Sequence, residues 1–198
     1  MTAPDKKGLT FNAAFVLCWL LYVTIIYYSE NKGENGNMKD LGVFDAFFIS
    51  NPFYRGMAEK IILIATGICG SVFSWKTVSI FPVSNIIGCI LVSVSFVFHK
   101  WAEKDHRQAH EQSGNINTIV TSGIFSKIRH PLYLSLIAMN IGIALAFGIM
   151  VTLAVSFLTI IHWVITAVKE EELLLKTFPH EYAEYKQDVP WRMIPGIF

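Results

Sequence analysis

From Pro131 to Val168 the chain contains no Asp, Glu, Lys or Arg. As one helix, those 38 residues would reach about 57 Å at about 1.5 Å per residue. The hydrocarbon core of a bilayer is only about 30 Å thick. The run therefore has to fold back, and Ala146-Phe147-Gly148 is where it can break, giving a tight hairpin of two spans. His162 is the strongly polar titratable group inside it. An ionisable residue in a membrane is a functional candidate by default; the alternative is a hydrogen-bonded structural histidine.

The rest of the chain follows the same pattern. It is 53% hydrophobic, has a mean hydropathy of +0.46, and is 16% charged against about 25% for globular proteins. The expected fold is an all-α integral membrane protein, multi-pass, with five transmembrane helices near residues 10–28, 57–75, 79–98, 131–146 and 149–168. Phe11–Tyr28 is long for a signal-peptide core and lacks a small-residue cleavage site after it, so it is expected to be retained. The second half of the 29–56 loop, Val43 to Tyr54, is aromatic and suits the membrane interface or an aromatic flank. The most polar stretch, His99 to Asn117, leads into a motif loop, and a polar, mostly helical C-terminal tail begins at Lys169. Thirteen Lys and Arg fall in the 29–60 loop, the 99–130 loop and the tail, against Lys6, Lys7 and Lys76 on the opposite side. That bias puts the motif loop, the tail and any active site on the cytoplasmic face.

A single domain is expected, with residues 1–98 as three N-terminal spans and 99–198 as the catalytic core. A net charge of +1 gives no basic excess for nucleic acid. Cys18, Cys69 and Cys89 lie in apolar runs without paired spacing, so neither a disulfide nor zinc is implied. His106 and His110 are four apart but lack a completing Glu, and are expected to be solvated loop residues; no metal site is expected.

The motif loop reads Gly-Ile-Phe-Ser-Lys-Ile-Arg-His-Pro-Leu-Tyr from Gly123 to Tyr133. Proline favours the first turn of a helix, so a helix should start near Pro131. Its free N–H groups and positive dipole end would then lie beside Arg129 and His130, a ready site for an anionic ligand. The alternative is that both residues merely snorkel at a membrane flank. In the tail, Phe178, Tyr182 and Tyr185 are spaced to share one helical face.

Loop and tail together resemble the isoprenylcysteine carboxyl methyltransferase family and its prokaryotic relatives. The matching residues are Ile119 to Gly123, Arg129-His130-Pro131-x-Tyr133, the Glu170-Glu171 pair, Phe178, Tyr182, Tyr185, Arg192 and Pro195. The likeness covers about the last 80 residues. It implies a methyltransferase that holds S-adenosylmethionine between loop and tail and takes a lipid-like or prenylated substrate from the bilayer. The cofactor contacts implied are Asn117, Thr118, Ile119, Val120, Phe125, His130, Pro131, Leu132, Tyr133 and Glu170. Arg129, Glu171 and Arg192 are the expected catalytic residues, and His162 and Thr166 the substrate-binding ones.

Three positions depart from the family pattern. Asn117 and Phe125 stand where the eukaryotic members have His and Tyr. Thr166 stands where the family has an Arg assigned to the substrate carboxylate. A neutral hydroxyl cannot make the bidentate pair of an Arg, so a carboxylate acceptor loses its partner unless Lys169 or Arg192 replaces it. Poor activity on farnesylcysteine, improved by Thr166→Arg, is the resulting expectation. With an amine acceptor, Glu171 or His162 would serve as base. The competing expectation is an NADPH-dependent membrane reductase of the sterol type, whose C-terminus resembles Val189 to Phe198. The chain is about half the size of those enzymes and lacks their Arg/Lys cluster. A non-catalytic membrane scaffold is the third possibility.

Overall fold

The computed structural model describes residues 51–80, 83–106 and 117–198. The expected span at 10–28, most of the aromatic segment before Tyr54, and His110 lie outside them. Among the described residues the chain forms α1 (Pro52–Val72), α2 (Val83–Asp105), a 3-10 turn (Gly123–Ser126), α3 (Pro131–Phe147), α4 (Met150–Thr177) and α5 (Pro179–Asp188). No strand occurs among them, only an isolated bridge between Thr77 and Ile149.

The long uncharged run breaks at the expected place. Helix α3 ends at Phe147, and Gly148 takes a left-handed φ of 64°, which glycine adopts without a Cβ penalty. The turn is pinned by the α1–α2 connection: Val78 N–H donates to Gly148 O at 2.9 Å, and Met150 N–H to Lys76 O at 3.0 Å. Helices α2 and α4 are long and apolar enough to cross a membrane, while α3 is apolar but has 17 residues.

Four helix boundaries differ from expectation by four residues or more, one of them the start of α2 at Val83 rather than near 79. Helix α1 starts at Pro52, because the Asn51 side chain accepts the Phe53 N–H at 2.9 Å and proline suits the first turn. This draws Arg55, Glu59 and Lys60 into the helix. Helix α2 continues to Asp105 through a stretch expected to be loop. Helix α4 runs on to Thr177, since Glu, Leu and Lys are good helix formers. Its 28 residues measure about 42 Å at about 1.5 Å each, so Glu170 and Glu171 stand beyond the apolar part of the helix.

The helices pack through small and polar residues. Buried positions on α2 are Ser84, Gly88, Ser95 and Ala102, all small, so backbones approach closely. Gly88 lies against the backbone of Gly142 and Ala146, and Asn85 Nδ2 donates to Ala146 O at 2.5 Å. Helix α4 buries Thr152, Ser156, Thr159, His162, Thr166 and Glu170 and exposes Phe157, Leu158 and Ile161. Trp163, Ala167 and Leu174 are buried on the same helix, so its inner face mixes polar and apolar side chains while those three point outward. One apolar cluster, Tyr133, Leu136, Ile137, Trp163, Ala167 and Met193, joins α3 and α4 to the tail. A second, Leu174, Tyr182, Tyr185 and Val189, folds α5 onto the end of α4, with Phe178 packed against it. The aromatic face expected in the tail is thus buried, although Phe178 caps α5 rather than lying within it.

Candidate active site

The motif loop is fastened at both ends. At its start, Gly123 has φ 60° and lies so close to the Asp105 carboxylate that a Cβ would collide with it. Asp105 also accepts the Ile124 N–H at 3.4 Å. Farther on, the Tyr185 hydroxyl donates to Phe125 O at 2.7 Å. At the loop's end, Arg129 N–H donates to Trp191 O at 2.9 Å and His130 N–H to Arg192 O at 2.7 Å. Loop and tail are therefore joined by their backbones, and α3 begins at Pro131 as expected.

Glu171 locks this junction. Its Oε1 accepts from Arg129 Nε at 2.9 Å and lies 2.9 Å from Arg129 Nη2, 3.0 Å from Arg192 Nε and 3.3 Å from His130 Nε2. Arg129 Nη1 also donates to Val189 O at 2.6 Å. Arg129 and His130 are both buried, so neither snorkels. The other ring nitrogen of His130, Nδ1, lies 3.4 Å from Glu170 Oε2. Burial opposes charge on this imidazole, but hydrogen bonds and the negative charges of Glu170 and Glu171 outweigh it, and its pKa is raised above the ordinary 6.5. A pKa raised on folding stabilises most fully below the unfolded value, and the gain is lost as pH rises through the folded value. The melting temperature of the wild type relative to His130→Asn should therefore be most elevated below about pH 6.5 and decline as pH rises above it. A difference that grows with pH would refute the raised His130 pKa.

Between loop and tail lies a pocket. Its wall carries Thr118, Ile119, Val120, Phe125, Arg129, His130, Leu132 and Tyr133 from the loop and the start of α3. Glu170, Leu174, Tyr182, Tyr185, Pro52 and His106 complete it. Nine of the expected site residues are thus together. Asn117, Pro131, Glu171 and Arg192 are off the wall, and His162 and Thr166 lie deeper. His106 corrects its expected place in a solvated loop: its ring is 5.2 Å from Phe125 and it lines the pocket. Tyr182 and Tyr185 had a signal in their shared helical face, whereas Pro52 and Leu174 had none. The Tyr182 hydroxyl is buried and has no hydrogen-bond partner among the described residues. Burial first, then Glu171 and Glu170, raises its pKa far above the usual value, so it stays a donor. His130 and Tyr133 stack in parallel at 5.3 Å, and Tyr133 meets Trp163 at 4.9 Å.

Behind Trp163 is a second polar cluster. His162 Nδ1 is 2.6 Å from Glu59 Oε1 and its Nε2 is 3.2 Å from Arg55 Nη1. Glu59 Oε2 accepts from Trp163 Nε1 at 2.6 Å and Asn140 Nδ2 at 2.8 Å. His162 is thus hydrogen-bonded, as one of the two sequence readings has it. Arg55 Nη1 also donates to Thr166 Oγ1 at 2.9 Å. This corrects the expectation that position 166 is without a cation: the guanidinium arrives from α1. Lys169 instead pairs with Glu172 at 3.0 Å, and Arg192 is committed to Glu171. Since Thr166 is fully buried beside Arg55, Thr166→Arg would crowd two guanidinium groups and is now expected to lose function. The sequence signal was Arg55 and Glu59 four residues apart, one helical turn, just before an apolar run.

A family model described as phospholipid methyltransferase matches residues 83–181, half of the chain. The chain belongs to the phospholipid methyltransferase family. No curated protein matches it. Membership in the phospholipid methyltransferase family makes it a membrane methyltransferase, in agreement with the apolar helices α2 and α4 and with the resemblance carried by the loop and tail. The segment matched to the phospholipid methyltransferases runs from α2 into α5. It leaves α1, with Arg55 and Glu59, outside.

Proposed function

We propose that the protein transfers a methyl group from S-adenosylmethionine to a lipophilic acceptor entering from the bilayer. The observation carrying this reading is the pocket wall, which combines a helix N-terminus, the His130 imidazole between Glu170 and Glu171, the Glu170 carboxylate and the buried Tyr182 hydroxyl with aromatic faces. That donor set fits the cofactor. The first-turn N–H groups of Leu132 and Tyr133 suit a carboxylate, and Glu170 suits an ammonium. The Tyr182 hydroxyl can donate to a ribose or adenine acceptor beside the apolar Ile119, Phe125 and Leu174. The rings of Tyr133 and Tyr185 offer electron-rich faces to a cation. When bound, S-adenosylmethionine supplies a methyl group activated on a sulfonium.

The chain's own contribution is alignment and exclusion of water. Arg129, Glu171 and Arg192 serve it by holding the tail across the pocket, so in this reading they are positioning residues. The site faces the cytoplasm of a multi-pass membrane protein, following the distribution of Lys and Arg. Residues 99–198 form the core of the single domain, with α1 adding Pro52 to the wall. The family description favours a phospholipid acceptor over a prenylated cysteine.

Calorimetry in detergent tests this. Wild type should bind S-adenosylmethionine. Glu170→Gln and Tyr133→Ala should each weaken binding about 10–100-fold, the range for losing a charge-assisted or buried contact worth about 1.5–3 kcal/mol. If both variants fold and bind as wild type does, the cofactor pocket is elsewhere. Binding of NADPH in its place would favour a reductase.

A further inference from the structure

After Arg192 the chain reads Met193-Ile194-Pro195-Gly196-Ile197-Phe198, without a polar side chain. The two residues before this segment fix its place. Arg129 N–H donates to Trp191 O and His130 N–H to Arg192 O. Trp191 and Arg192 therefore stand level with Arg129 and His130, just outside the uncharged run 131–168. Beyond them Met193 is buried in the cluster of Tyr133, Leu136, Ile137, Trp163 and Ala167. Those partners belong to the first two turns of α3 and to the apolar part of α4. The segment thus runs from the charged edge of the bundle towards its apolar level. Helix α5, with Glu181, Glu184, Lys186 and Asp188, instead packs on the end of α4 around Leu174.

At that level the segment turns apolar surface outward. Ile194 is 43% exposed and Ile197 78%, and Trp191 beside them is 38% exposed. Exposed isoleucines are unfavourable in water, whereas a tryptophan is favoured at the boundary between membrane and water. Phe53 and Tyr54, next to Pro52 of the pocket wall, are exposed aromatics as well. The backbone suits the same surroundings. Away from water an N–H group without a partner is costly. Here Met193 and Ile194 N–H donate to Phe198 O at 2.9 and 2.8 Å, and Ile197 and Phe198 N–H donate to Ile194 O at 3.1 and 3.0 Å. Pro195 has no N–H, which leaves that of Gly196, at a left-handed φ of 80°.

We propose that residues 193–198 form a wedge seated at the headgroup–acyl boundary of the bilayer, with Ile194 and Ile197 against lipid, and that this wedge anchors the tail across the pocket. The insertion stands apart from the methyltransferase reading; the anchoring rests on it. Lipid is the occupant the structure favours, because the wedge continues the apolar surface that Ile61, Ile64, Ile86 and Ile90 present outward on α1 and α2. Two contacts couple the wedge to the pocket. The Arg192 guanidinium lies 5.0 Å from the Phe198 ring, and its Nε lies 3.0 Å from Glu171 Oε1. Met193 shares its cluster with Tyr133 of the wall. Lifting the wedge out of lipid therefore pulls on the residues that close the pocket.

Fluorescence quenching in vesicles tests the insertion. Cys18, Cys69 and Cys89 are changed to serine. A single label is then attached to Ile197→Cys on the wedge, Ile90→Cys on the outward face of α2, or Gln187→Cys on the exposed side of α5. In phosphatidylcholine vesicles containing doxyl-labelled lipid, quenching at position 197 should exceed that at 187 by about threefold or more and reach about half of that at 90. Binding of S-adenosylmethionine by the reconstituted protein tests the anchoring. A carboxylate is unfavourable among acyl chains, so Ile197→Asp should bind the cofactor about threefold or more weakly than wild type, and Gln187→Asp as wild type does. Quenching at 197 no greater than at 187 overturns the insertion. So does complete disulfide pairing of unlabelled Ile197→Cys in the membrane, which would put a second copy of the chain there. Strong quenching with unchanged cofactor affinity in Ile197→Asp overturns the anchoring. A wild type that binds no S-adenosylmethionine refutes the proposed function instead, and the quenching then still decides the insertion.

Discussion

Glu171→Ala is expected to release the tail from the motif loop. The side chain is 3% exposed and one of its oxygens faces Arg129, Arg192 and His130 within 3.3 Å. Removing it leaves the Arg129 guanidinium, itself 3% exposed, buried without its carboxylate. Breaking a buried pair in this way costs about 3–5 kcal/mol, which for a chain of this size lowers the melting temperature by on the order of 10 °C. Because the same contacts hold the tail across the pocket, binding of S-adenosylmethionine should be lost with them. The adjacent Glu172 is the internal control. Its side chain is 53% exposed and pairs with Lys169 on the surface, so Glu172→Ala should cost no more than about 1 kcal/mol. Thermal denaturation of both variants in detergent is the measurement. Similar melting temperatures for the two would mean that the Glu171 junction does not hold the fold together.

Gly88→Leu is expected to separate α2 from α3. A Cβ at this position would meet the Ala146 backbone nitrogen and the Gly142 carbonyl oxygen. Backbone cannot rotate out of the way as a side chain can, so the helices must move apart. The Asn85 bond to Ala146 O would be broken with them. Overpacking of side chains alone costs about 1–3 kcal/mol, and a clash with backbone should reach or exceed the upper end. Ile87, the preceding residue, is 47% exposed, so Ile87→Leu should be nearly silent. Size-exclusion profiles and melting curves of the two variants compare them directly. A Gly88→Leu protein as monodisperse and as stable as Ile87→Leu would rule out the close crossing.

Local chemistry made much of this protein legible in its sequence. The hairpin was dictated by length: an uncharged run too long for one span, with Gly148 near its middle where it could reverse. The start of α3 was dictated by Pro131, whereas the nine wall residues were implied only by the family resemblance that the surrounding motifs carry. Helix ends were less legible, because a boundary depends on small competing terms such as the Asn51 cap and the helix propensity of Lys169 to Thr177. What the sequence could not disclose is which charges meet. Arg129 and Glu171 are 42 positions apart, and Glu59 and His162 are 103 apart. No periodicity within one helix encodes such pairs. Thr166 shows the consequence most plainly. Within its own helix it stands for a missing cation, and only the packing of α1 against α4 brings Arg55 to its hydroxyl. A guanidinium on a long side chain can serve a site from any neighbouring helix, so its location was decided by tertiary structure alone.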